Sequence, residues 1–409
     1  MSQSPAASSF DMATQTENVP KTPVVPATAA AWQTPFGVNE MRLSARQWLA
    51  AAAIILGCAW GLPRIWTRIE RTDRTADYRQ PYALSKDYWQ YQQRLARIAD
   101  PAAVLVLGDS VVWGEYVLPS GTLTHFLNRE TGVPERFVNG GVNGLFPLAM
   151  EGLIEYYGQA LCRRKLIVHC NVLWMSSPKA DLSARKKQDF NHSRLVPQFA
   201  PLTPPCYQAD AAERLGVVAE RNVDFFAWVN HLNCAYFGQQ SIPRWTLEED
   251  SSDPPRRVNA WRDPLAQITL SVPADPRDDP QRGPASPRHK PWNAGGAKPA
   301  RFSWVGLEAS LQWKAFRRLI QRLRGRGNDV LVIVGPFNEH MVADAQRPTF
   351  RELRAGIAAW LDENQIPHVV PETLPSPLYA DASHPLTEGY ELLAGRISQD
   401  PAFRAWLAR

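Results

Sequence analysis

Val104-Leu-Val-Leu-Gly-Asp-Ser-Val-Val-Trp-Gly114 carries four consecutive apolar residues into Gly-Asp-Ser and meets a second glycine four residues after the serine. An apolar run without polar alternation is the pattern of a strand covered on both faces of a mainly parallel sheet. Gly108 permits a sharp turn where the run ends. Ser110 is thereby set at the carboxyl end of the strand, the edge at which open α/β sheets hold their ligands. Further along, apolar strands over Leu166 to Cys170 and Val330 to Val334 alternate with helical patterns over Leu148 to Leu161, at Phe316, Leu319, Ile320 and Leu323, and over Phe350 to Leu361. That alternation predicts an α/β fold, a three-layer α/β/α sandwich around a mainly parallel sheet.

Near the other end of the chain, Asp381-Ala-Ser-His384-Pro385 places a carboxylate and an imidazole three residues apart, ahead of a helix that turns Tyr390, Leu393 and Ile397 inward. A serine hydroxyl attacks a carbonyl at neutral pH only if a base takes its proton and an acid fixes the tautomer of that base. Ser110, His384 and Asp381 supply those three parts. Gly-Asp-Ser alone is common in turns, and Asp-x-x-His alone serves as a helix cap; their joint occurrence, each at a strand end or loop, is what points to chemistry.

Gly108-Asp109-Ser110 near the start of the folded region and Asp-x-x-His-Pro near its end resemble the SGNH (GDSL-type) hydrolases. Asn139-Gly-Gly141-Val-Asn-Gly144 resembles the second block of that family, Asn-x-Gly-x-x-Gly, with Gly144 as its last glycine. The third block departs from the family's Gly-x-Asn-Asp: in Leu166-Ile-Val-His-Cys-Asn171-Val-Leu-Trp-Met175, His169 stands in the glycine position and Val172 in that of the aspartate. Gly335-Pro-Phe-Asn338-Glu-His340 offers a competing asparagine, and chain order favours Asn171. The resemblance implies a flavodoxin-like SGNH fold, a catalytic Ser110, Asp381 and His384, and an oxyanion hole from the N–H groups of Ser110 and Gly144 and the amide of Asn171. It covers roughly 100–176 and 304–409. His125, His169, His340 and His368 have no comparable partners in sequence and read as structural, while Glu115 and Tyr116 read either as the mouth of the site or as a solvated loop.

The 409 residues are 44% hydrophobic and 21% charged, enough for a sizeable core, and a net charge of +5 is small for this length. Scattered basic residues and the lack of any aromatic-basic groove or recognised motif argue against nucleic acid as a partner. Residues 1–44 read as a disordered tail rich in Ser, Ala, Thr, Pro and Gln. Residues 45–66 read as one transmembrane helix, because Trp48 to Leu62 is uncharged throughout and has no polar face. Residues 67–99 then form a linker, with a helical lead-in from about Tyr78 to Ile98, and 100–409 the catalytic domain. Two arginines precede the helix, Arg42 and Arg46, whereas Arg64, Arg68, Arg71, Arg74 and Arg79 follow it, which by the positive-inside rule holds the domain in the cytoplasm. The resemblance to membrane-tethered relatives points instead to the outside. Cys58 reads as a packing residue, and the five cysteines suggest no metal-ligand spacing.

An insertion at about 177–303 interrupts the domain. Its Ala211 to Phe237 segment looks helical, whereas Val272 to Pro299, crowded with Pro, Arg, Asp and Gly, looks like a mobile loop. Emerging beside Asn171, the insertion is expected to form either a lid or acceptor-binding cap, or an inert excursion. The resulting expectation is a serine esterase or O-acyltransferase needing no cofactor or metal. Its substrate is an acyl ester, by analogy a short acyl group on a polysaccharide, with water or a sugar hydroxyl as acceptor. The rival is a membrane-tethered scaffold or carbohydrate-binding component that has lost turnover.

Overall fold

The computed structural model of the chain describes residues 43–72, 77–98, 102–247, 262–272 and 289–409. The expected tail (1–44) therefore falls almost wholly outside the described residues, as does 273–288, the centre of the expected mobile loop. Two units separate within the chain, 1–54 and 55–409; the sheet and the helices that follow α1 in the chain belong to the second.

The sheet among the described residues has five strands: β1 (Val104–Gly108), β2 (Phe137–Gly141), β3 (Lys165–Cys170), β4 (Asp329–Val334) and β5 (His368–Val369). All neighbours pair in parallel, in the order β2-β1-β3-β4-β5. From β1 the chain winds to one side to make β2, then returns past β1 to make β3. This reversal leaves a crevice between the carboxyl ends of β1 and β3, the usual ligand position in such sheets.

In chain order the helices are α1 (Ala45–Ile69), α2 (Tyr88–Arg97), α3 (Ser110–Trp113), α4 (Leu123–Thr131), α5 (Pro147–Tyr156), α6 (Ala211–Asn222), α7 (Asp224–Tyr236), α8 (Ile242–Leu247), α9 (Pro264–Gln267), α10 (Leu311–Gly325), α11 (Arg347–Glu363), α12 (Thr387–Gln399) and α13 (Pro401–Ala408). Side chains alternate across each strand, and the burial follows. Leu105, Leu107, Leu166, Val168, Val330 and Val332 pack against α5, α10 and α11 in one core layer. Val104, Val106, Ile167, Leu331 and Ile333 pack against α4, α12 and α13 in the other. The sheet is thus covered on both faces, which is why its strands read as continuous apolar runs. Phe316, Leu319, Ile320 and Leu323 all lie in the buried stripe of α10, and Tyr390, Leu393 and Ile397 in that of α12.

Helix α1 is 25 residues long, and it is the one described helix long and apolar enough to cross a membrane. It continues to Ile69, beyond the expected end at 66. Within it Arg64 donates to the carbonyl of Trp60 at 2.6 Å and lies 4.4 Å over its ring. The lead-in helix α2 starts at Tyr88, later than the expected Tyr78, because Asp87 caps it by accepting from Gln90 N at 3.0 Å. The segment of the insertion expected to be helical, Ala211 to Phe237, is two helices, α6 and α7, the first opened by a capping box of Asp210 and Glu213. Helix α7 is tied to the lead-in through His231, whose ring lies 2.7 Å from Asp87 and 2.8 Å from Glu70 and is fully buried. Both carboxylates hold that ring in its charged form: burial works against it, Asp87 and then Glu70 outweigh burial, and the pKa rises to about 10.

Candidate active site

Strand β1 leads into Asp109, whose carboxylate accepts from Val111 N at 3.0 Å and so starts the single turn of α3. Ser110 is the first residue of that turn, and Gly114 ends it in the left-handed region at φ +89°. Gly108 is required by crowding, since a Cβ there would overlap Val112 and press on the Cβ of His169. The hydroxyl of Ser110 donates to His384 Nε2 at 2.7 Å, across 274 residues of sequence. On the far side of the ring, Nδ1 donates to Asp381 Oδ2 at 2.7 Å, with Oδ1 at 2.8 Å.

The Asp381 carboxylate is fixed by its own turn, accepting from Ser383 N and His384 N at 2.9 Å each. Burial pulls the His384 ring down, but the hydrogen bond and charge of Asp381, followed by the charge of Glu115, outweigh it and hold its pKa above the ordinary imidazole value. Asp381 shows the converse: burial raises it, the bond to His384 lowers it further, and the carboxyl lies below its usual range. The arrangement is a base poised to take the Ser110 proton, with an acid that fixes its tautomer.

Asp109 is almost fully buried beneath the serine. Its Oδ2 accepts from Trp174 Nε1 at 2.8 Å and from Asn171 Nδ2 at 3.2 Å, and His169 Nδ1 stands 3.2 Å from Oδ1 at ion-pair distance. Burial alone would raise this carboxyl; the attraction of His169 and the bond from Val111 reverse that and bring it to about 2. His169, expected to be structural, thus stands against the carboxylate of the residue preceding Ser110. Asn171 sits at the expected strand end, but its amide is engaged by Asp109 while its Oδ1 accepts from Leu173 N at 3.0 Å. The competing Asn338 does different work: its amide donates to the Asp381 carbonyl at 3.0 Å and its N–H to Ala382 at 2.8 Å, holding the loop that carries the acid and the base.

Gly144 lies on the loop after β2 at φ +71°, where a side chain would collide with Asn191. Asn139, which opens this block, donates to the Val112 carbonyl at 2.8 Å and accepts from Gly141 N at 2.9 Å, joining the loop to the turn bearing Ser110. Beyond Gly144 opens a cavity of about 350 Å³, lined among others by Phe146, Leu182, Gln188, Phe190 and Asn191. The first part of the insertion thus walls a cavity at Gly144, which sequence alone did not locate. The three other histidines singled out in the sequence bond elsewhere: His125 pairs with Asp77 at 2.9 Å, His340 bonds the Leu374 carbonyl and His368 that of Ile366. Among the described residues no group of three or more His, Cys, Asp or Glu side chains is placed to hold a metal ion.

No protein-family model matches the chain, and no curated protein matches it either.

Proposed function

We propose that this chain is a serine-dependent acyl-ester hydrolase or O-acyltransferase of the SGNH type, attached to a membrane through α1. The single observation that carries the reading is the unbroken relay from Ser110 Oγ through His384 to Asp381, with 2.7 Å at each step. Ser110 attacks the ester carbonyl as His384 takes its proton, and the protonated ring then donates to the departing alcohol. Water, or a sugar hydroxyl, enters by the reverse path to release the acyl group. The sheet order is that of flavodoxin-like folds, in keeping with the family resemblance. For the oxyanion, the reading uses the N–H groups of Ser110 and Gly144 and an N–H of Asn171, whose amide carries two hydrogens while Asp109 takes one.

A short acyl group on a carbohydrate fits this reading, because the cavity beside Gly144 combines Phe146 and Phe190 with the hydrogen-bonding side chains of Gln188 and Asn191. By the same resemblance the domain works outside the cytoplasm, against the bias of its flanking arginines. The altered third block, the main support for a scaffold without turnover, is filled by His169 and Trp174 packed around Asp109. The test is p-nitrophenyl acetate turnover by the full-length protein in detergent, with and without added polysaccharide. Turnover that Ser110→Ala abolishes supports the reading. If the polysaccharide also becomes acetylated, the enzyme is a transferase. Equal turnover by wild type and Ser110→Ala contradicts the reading.

A further inference from the structure

The turn after the nucleophile is bent in an unusual way. Gly114 is at φ +89° and Tyr116, two residues on, is at φ +69°, a conformation seldom adopted by residues with a large side chain. Strained backbone of this kind persists where the surroundings hold it, and it concentrates at working sites. Here the surroundings are visible. The N–H groups of Gly114 and Glu115 donate to the Ser110 carbonyl at 2.9 and 3.0 Å, and Arg79 grips the carbonyls of Gly114 and Trp113 at 2.5 and 3.1 Å from below.

The bend brings two side chains onto the catalytic base. Glu115 Oε2 lies 3.5 Å from His384 Nε2, on the edge where Ser110 bonds. The ring of Tyr116 meets that of His384 edge-on at 5.3 Å and stacks on His289 at 4.1 Å. We infer that Glu115 is a positioning residue for His384, a second carboxylate that stabilises the ring in the charged state it reaches after taking the Ser110 proton. This assignment takes its catalytic meaning from the esterase or transferase reading above, and it goes beyond the Ser-His-Asp relay.

The charged and titratable groups that face the imidazole are Asp381 on its own loop, Glu115 and Tyr116 from the turn after α3, and Asp109 just after β1. All three carboxylates act in the same direction. Glu115 is itself raised, first by burial, with Asp381 and Asp109 adding to the rise and His384 and the amide of Asn143 opposing it. An imidazole with Asp381 at Nδ1 and Glu115 near Nε2 is a stronger base than one held at a single edge.

The test is an NMR titration of the His384 ring in full-length protein in detergent, for wild type, Glu115→Gln, Glu115→Ala and Glu115→Asp. In both variants lacking the charge, the midpoint falls by about 0.9 pH unit or more, the effect of a unit charge at that distance in the full dielectric of water. Glu115→Asp retains part of that difference. The acidic limb of fluorophosphonate labelling at Ser110 moves to lower pH with it, and the alkaline plateau drops about threefold as the base weakens. A merely structural role for Glu115 would lower labelling at every pH and leave the midpoint in place. A His384 midpoint unmoved in folded Glu115→Gln and Glu115→Ala proteins overturns the inference. If the midpoint moves while wild-type Ser110 takes no label, the coupling stands and it is the esterase or transferase reading that fails.

Discussion

Replacing Asp109 by asparagine tests the support beside Ser110, because the change is nearly isosteric and removes only charge and one acceptor. The carboxyl is held at about 2 against an ordinary value of 3.8. A difference of that size corresponds to about 2 kcal/mol of preference for the charged form in the folded state. Two donors, Trp174 Nε1 and Asn171 Nδ2, converge on Oδ2, and Val111 N points at Oδ1. An asparagine offers an acceptor on one side only, so at least one buried donor meets an N–H₂ group and loses its partner, which costs roughly 1–3 kcal/mol. We therefore expect Asp109→Asn to lower the unfolding free energy by about 2–4 kcal/mol, read as an earlier urea midpoint in tryptophan fluorescence. The pH dependence carries the same signature. A carboxyl whose folded value is depressed contributes its stability fully above its unfolded value, near 3.8, and loses it as the pH falls through about 2. The difference between wild type and variant should narrow across that window. A variant within about 0.5 kcal/mol of wild type at neutral pH would refute the claim that this carboxylate holds the base of the site together.

Other perturbations separate the parts of the account. Gly152→Ala puts a methyl group into the backbone carbonyl of Leu195; the gain in helix propensity is outweighed, α5 is forced away from the insertion, and thermal unfolding should show a loss of about 1–3 kcal/mol. Asn338→Ala frees the carbonyl of Asp381 and should reduce kcat about tenfold or more with little change in KM, because the acid and base are displaced while the binding surface is not. His231 has its pKa raised to about 10, so its contribution is complete below the ordinary imidazole value and disappears as the pH rises through about 10. Thermal midpoints of the wild type should fall over that interval, and the fall should be absent in His231→Gln.

The parts of the site that could be read in the sequence are those with a local cause. Four apolar residues before Gly-Asp-Ser require a covered strand and a turn, and Asp381 reaches His384 within its own loop, where it also caps two N–H groups. Helical stripes were equally visible, since Phe316, Leu319, Ile320 and Leu323 recur at the period that buries one face. Boundaries were less so. The lead-in helix starts after Pro81 and the Asp87 cap, and α5 stops at Tyr156, short of the expected Leu161, just before Gly158 packs on the backbone of Ile154. Long-range choices of partner were hidden altogether. Nothing in the spacing of Asn171 and Asn338 reveals that one amide goes to Asp109 and the other to the Asp381 carbonyl. The pairing of His169 with Asp109 follows from the juxtaposition of β1 and β3, which only the sheet order supplies. Glu115 had a local signal in Gly114, but its approach to His384 is a contact between residues far apart in sequence, which no local pattern carries.

The central claim is that Ser110 is a nucleophile activated by His384, and the most direct measurement is fluorophosphonate labelling of the full-length protein followed by peptide mass spectrometry. The account predicts a phosphonyl adduct on Ser110, absent in Ser110→Ala and strongly slowed in His384→Gln. A folded wild type that takes no label at Ser110, or a His384→Gln variant labelled as fast as wild type, would contradict it.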